Sequence, residues 1–130
     1  MINRAQAAYY LNGQYSALAA AVGQDVDPQI GYAYDIDSAL RALAVAESDL
    51  ETATVEDSRR DVFYALCEYY AARRFWRQMS DRADVTMGEE SFKFAAVIAN
   101  ARALMESAAE RCGRLGVPVA VSKPFLFEVS

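Results

Sequence analysis

Arg73, Arg74 and Arg77 stand close together among Tyr69, Tyr70, Phe75 and Trp76, a mixture able to hold phosphate, stack on bases or pair with carboxylates. The same grouping also serves as snorkelling cations over an apolar helix, or as one half of a charged subunit boundary. Glu89 and Glu90 are the nearest approach to a paired acid–base set. At the start of a helix, however, two acids meet the positive end of the macrodipole and need no catalytic role. Cys67 and Cys112 fall on separate helical stretches and read as reduced core thiols. Histidine is absent, which removes the commonest general base and the commonest metal ligand together. The sequence has no glycine-rich phosphate loop, no metal-spaced cysteine set and no serine-nucleophile motif. These features predict a protein that is not an enzyme and uses no cofactor.

The charge is uneven. Residues 1–57 carry nine acids against two bases, and residues 58–130 carry nine acids against eleven bases. The formal net charge is −5 and the pI about 4.7, which opposes general affinity for nucleic-acid backbone. With 54% hydrophobic residues in 130, one core is expected in one domain. The N-terminus lacks the charged-then-apolar order of a signal peptide, and no stretch approaches the ~18 apolar residues of a membrane span. The expectation is a soluble protein made in a cytoplasm.

The elements that must hold these side chains are predicted helical. Residues 4–22 place Tyr9, Tyr10, Leu11, Tyr15, Leu18 and Val22 at near-helical spacing, and Gly23 is a natural stop. Residues 24–34 read as a loop. Asp35 reads as the cap of a second helix that buries Ile36, Leu40 and Leu43 and fades near Leu50. An acidic connection follows over 51–56, and Thr54 with Asp57 resembles a weak capping box. The third helix, from about Asp57 to Ser80, has apolar residues over about half its circumference and should be sandwiched between others. Thr86–Met87–Gly88–Glu89 is a capping box for a fourth helix. Its stripe runs through Phe94, Val97, Ala101, Leu104, Ala108 and Leu115, with Ile98, Met105 and Cys112 beside it.

The fold class is therefore all-α: a bundle of about four helices, with two long ones in the C-terminal half, over residues 1–116. Residues 117–130 differ. Val117, Val119, Val121, Phe125, Phe127 and Val129 alternate as in a strand, while Pro118 and Pro124 exclude a central one. This segment reads as an extended arm, with Val119, Val121, Phe125, Leu126, Phe127 and Val129 as candidate contacts to a partner chain. Tyr9, Tyr10, Tyr15, Tyr32 and Tyr34 crowd the acidic half, more aromatic surface than a small bundle easily buries, so some are expected at an interface.

In their order these features resemble the head–tail adaptor (connector) proteins of long-tailed double-stranded DNA bacteriophages. The resemblance begins at GlyTyrAlaTyrAspIleAspSerAlaLeuArgAlaLeu, residues 31–43. It continues through AspLeuGluThrAla and AlaAlaArgArgPheTrpArg, and closes on AspValThrMetGlyGluGluSerPheLysPhe, residues 84–94. It covers about residues 30–116, leaving the Tyr-rich first helix outside.

That resemblance implies a non-enzymatic virion protein at the head–tail junction. It implies a homo-oligomeric ring, commonly dodecameric, beneath the portal protein, which extends the DNA channel and presents a surface to the next connector, stopper or tail protein. DNA would pass without specific binding, and no membrane or cofactor is implied. The C-terminal segment would grip the portal. Ring closure needs two different faces on each subunit. Acidic Asp35 and Asp37 of one subunit are expected to meet Arg73, Arg74 and Arg77 of the next. Another head or tail completion protein is the nearest alternative. A small all-helical enzyme of chorismate-mutase type is the alternative from another class, and it would need several polar groups converging in one core. Helices 1 and 2 offer no evident partners for Arg73 in such a site.

Overall fold

The computed structural model describes residues 1–85 and 89–119, with side chains outside 82–94. Within these residues the chain is mostly helical, as the periodicity predicts. Two short strands, β1 (Ile2–Asn3) and β2 (Thr54–Val55), frame the first half. Between and after them run α1 (Arg4–Ala21), α2 (Pro28–Gly31), α3 (Ala33–Ala42), α4 (Arg60–Val85) and α5 (Glu89–Arg114).

Asn3 starts α1 through a reciprocal cap. Its side chain accepts from the Gln6 amide at 2.9 Å, and Gln6 Oε1 accepts from the Asn3 amide at 2.8 Å. The helix bends at Tyr15, whose φ of −122° and ψ of 24° leave the helical region. It ends on Gly23 at φ +74°, a left-handed conformation that glycine adopts without a Cβ penalty.

Residues 28–31 are helical where a loop is expected. Asp27 caps them by accepting from the Gln29 amide at 2.8 Å, and Pro28 occupies the first turn, where its missing N–H costs nothing. The next helix consequently starts at Ala33 rather than after Asp35. Asp35 is no cap: it lies inside the first turn of α3 with its carboxylate turned inward. That helix stops at Ala42, with Ala44 at φ +68°, well short of Leu50. Thr54 does not cap the third helix either. It lies in β2, which pairs antiparallel with β1 in the register Ile2↔Val55 and Asn3↔Thr54. A 3-10 turn at Asp57–Arg59 leads into α4 instead.

The two long helices have 26 residues each, about 39 Å at 1.5 Å per residue. α4 is the centre of the domain, packed against α1, α3 and α5. Its broad apolar surface requires this, since Phe63, Leu66, Cys67, Ala71, Ala72, Phe75 and Met79 are all buried and point to several sides. On α5 the buried stripe is Ala101, Met105, Ala108 and Cys112: Ala101 and Ala108 of the expected stripe with Met105 and Cys112 from beside it, while Leu104 is half-buried and Leu115 is 46% exposed. The small residues on this stripe permit close approach of α5 to α4. Cys67 and Cys112 are buried free thiols. The capping box at Thr86–Gly88 lies outside the described residues. No described helix is long and apolar enough to cross a membrane.

Candidate partner interface

Four of the five sequence-predicted charged residues, Asp35, Arg73, Arg74 and Arg77, meet on one flank of α3. Arg74 lies over the ring of Phe75, 4.5 Å from its centroid, and reaches across from α4 to Asp35. Its Nε donates to both carboxylate oxygens at 3.0 Å, and its Nη2 donates to Oδ2 at 2.9 Å. Nη1 donates to Gln78 Oε1 at 3.1 Å. Asp35 is 1% exposed. Burial pushes its carboxyl above the usual range, and the Arg74 guanidinium opposes that shift by hydrogen bond and charge. The pair is a closed intrachain unit, and in this chain Asp35 faces Arg74 of its own α4. Asp37 is likewise committed within the chain, accepting from Arg4 Nη1 at 2.6 Å on the other flank of α3.

Arg73 and Arg77 are different. They line a groove of about 240 Å³ between α3 and α4 together with Tyr34, Ser38, Tyr70 and Asp81. Arg73 is half-buried against Tyr69, and Arg77 is exposed. Neither has a carboxylate partner among the described residues. Tyr34 is 71% exposed, and shortly before it in sequence Val26 and Ile30 are 53% and 69% exposed. Of the five N-terminal tyrosines, Tyr15 and Tyr32 belong to the core, Tyr10 is half-buried, and Tyr9 and Tyr34 remain exposed. The Tyr32 hydroxyl is enclosed. The Gln24 amide comes near enough to bear on its titration, but not within hydrogen-bonding geometry.

A second polar cluster escaped the sequence reading. Glu68 of α4, 5% exposed, receives the Tyr10 hydroxyl of α1 on one oxygen and the Arg111 guanidinium of α5 on the other. Tyr10 stacks on Tyr64 with centroids 4.1 Å apart, and the Tyr15 hydroxyl donates to the Glu68 carbonyl at 3.4 Å. Burial first, and then Glu68, push both tyrosine hydroxyls up. The hydrogen bond to Glu68 raises Arg111. The cluster lines a pocket of about 340 Å³ with Asp61, Arg114 and Leu115. A glutamate at the centre of an aromatic stripe was the available signal: Glu68 sits between Cys67 and Tyr69, where a charge survives burial only with partners.

Val119 is half-buried, and with Val117 it packs against its own core. Val121, Phe125, Leu126, Phe127 and Val129 lie outside the described residues. No group of three or more metal-ligating side chains is found among the described residues. Comparison of the chain with family models, curated proteins and solved structures returns no match.

Proposed function

We propose that this protein is a structural subunit of the head–tail junction of a long-tailed double-stranded DNA phage. It assembles as a ring, of dodecameric size in the proteins it resembles, that joins the portal to the next connector or tail protein and prolongs the DNA channel. The observation that supports this best is the α2–α3–α4 face. Exposed Tyr34 borders a groove with two arginines that have no acid partner in the described chain, and Val26 and Ile30, shortly before it in sequence, are exposed apolar side chains as well. Such a surface suits a protein partner better than a small substrate: aromatic and arginine side chains are enriched at interface cores. The acidic first half suits a channel that must pass DNA without holding it. The finer fold belongs to the same reading: a compact helical body over 1–116, and an arm over 117–130 whose residues Val119, Val121, Phe125, Leu126, Phe127 and Val129 grip the portal.

Co-sedimentation of the full chain with the portal ring of its own phage tests this. Saturable binding, abolished by truncation at Val117, is expected. A chain that ignores the portal at micromolar concentration would refute the adaptor role.

One observation favours the enzyme alternative: Tyr10, Glu68, Arg111 and Arg114 from three helices converge on one pocket. Both Glu68 oxygens are already occupied from within the chain, which makes the cluster a clamp between helices. Calorimetric titration with a dicarboxylate such as chorismate separates the readings, and no heat is expected.

A further inference from the structure

We infer that the groove between α3 and α4 receives the acidic turn around Glu47–Asp49 and Glu51 from a second copy of this chain, head to tail. The inference rests on the ring reading and names the two surfaces that meet.

On the receiving side, Arg73 and Arg77 lack carboxylate partners among the described residues, and Tyr34 stands beside them as an exposed apolar wall. The entering side is the connection between α3 and β2. There Asp49 and Glu51 are exposed and make no ion pair among the described residues. This turn is held before any partner arrives. Leu50 is buried, and its carbonyl accepts from Arg4 Nη1 at 3.1 Å. Glu47 accepts from Arg41 at 2.6 and 3.1 Å. A knob fixed in this way loses little conformational entropy on docking.

The two surfaces stand on different flanks of one short helix. Tyr34, Asp35 and Ser38 line the groove. Ala33, Asp37 and Arg41 tie down the turn, the first two through Arg4, which also donates to the Ala33 carbonyl at 3.3 Å. At 3.6 residues per turn the two sets are centred about 100° apart on neighbouring flanks, with Tyr34 and Arg41, seven residues apart, at their shared edge. A cationic groove and an acidic knob on neighbouring flanks are two different surfaces, and a contact of one with the other repeats from copy to copy and closes when the rotation allows. Asp35 does not serve as the acid in this contact, because it is buried and fully engaged by Arg74. The acid is supplied instead by the turn, and the arginines that receive it are those Asp35 leaves over.

The experiment is a charge swap read by sedimentation velocity and negative-stain imaging, with thermal melting to verify folding. The full chain is compared with Arg73→Glu/Arg77→Glu, with Arg77→Glu alone, with Asp49→Arg/Glu51→Arg, and with an equimolar mixture of the two double variants. Arg77→Glu alone keeps the test valid if the Arg73 change disturbs packing. The unmodified chain should associate, and added salt should weaken that association. Each double variant should need about tenfold more protein or greater for half-association, since like charges then oppose. The mixture should recover, because each variant offers the charge the other lacks. Variants that assemble like the unmodified chain would overturn this pairing while leaving the ring itself standing. An unmodified chain that stays monomeric would overturn the pairing too; if that monomer still decorates the portal, the adaptor reading survives without it.

Discussion

Two Arg–carboxylate pairs are anchored on α4, and they differ in what they leave over. Around Glu68 both carboxylate oxygens are used: one takes Tyr10, the other takes Arg111, and three helices are tied together. Arg114 and Asp61 on the same pocket wall make no ion pair among the described residues. Around Asp35 the carboxylate is equally well satisfied by Arg74, yet Arg73 and Arg77 beside it have no carboxylate partner among the described residues, next to exposed Tyr34. The same ingredients thus make an internal clamp in one place and an unfinished surface in the other. What distinguishes the groove is an excess of cations on its wall, Arg73 and Arg77 against Asp81, where the Glu68 pocket sets Arg114 against Asp61.

The largest effect should come from Arg74→Ala. It strands a carboxylate that is 1% exposed, and breaking a buried pair in this way costs about 3 kcal/mol. For a chain of this size that lowers Tm by roughly 10 °C in a calorimetric scan. The loss should depend on pH with a definite sign. Burial already raises Asp35 in the folded state, and removing Arg74 removes the opposing cause, so folding takes up a proton as the pH falls. The deficit relative to the unmodified chain should therefore shrink between about pH 7 and about pH 5. A deficit that grows on acidification would contradict this account of the pair.

Glu68→Ala should cost less, about 2 kcal/mol, although the clamp joins more elements. The Arg111 side chain is 37% exposed and can turn to water when its acid is removed, whereas Asp35 has no such escape. Urea melts of the two variants side by side measure the difference. An equal or larger loss at Glu68 would show that the α1–α4–α5 contact bears more than its hydrogen bonds.

A smaller effect concerns the thiols between these two regions. Burial pushes Cys67 well above its ordinary range and Cys112 up to about 11. Neither should react with iodoacetamide at neutral pH until the chain unfolds, which mass spectrometry before and after denaturation can read. Rapid native labelling would place one of them outside the core.

Smallest of all are two changes on the groove side. Arg77→Glu should move stability by less than about 0.5 kcal/mol while altering assembly, the signature of a surface group whose partner lies in another chain. Tyr32→Phe removes an enclosed hydroxyl that lacks a good hydrogen bond, and should be neutral or stabilising by up to about 1 kcal/mol.

The helical character and the central position of α4 were legible, because aromatic and aliphatic residues recur round half of that helix, more than one neighbouring helix can cover. Gly23 and the buried cysteines were legible for equally local reasons. Asp35 was misplaced as a cap because the Asp27–Pro28 start signal went unused, which moved the start of the following helix by three residues. The Asn3–Gln6 capping box was present in the sequence with Asn and Gln in place of the commoner Thr and Glu. Glu68 with Tyr10 and Arg111 could not be paired from spacing alone: 58 and 43 residues separate the partners, and only the packing of α1 and α5 on α4 brings them together. For the same reason the charge asymmetry suggested that acids meet arginines without revealing that Asp35 meets Arg74 inside one chain.

The most direct test of the contrast is hydrogen–deuterium exchange on the full chain, free and assembled. Protection gained at residues 26–38, 47–51 and 70–81, with no change around Glu68 and Arg111, is the predicted result. Protection falling instead on the Tyr10–Glu68–Arg111 side, with the groove unchanged, would contradict the account.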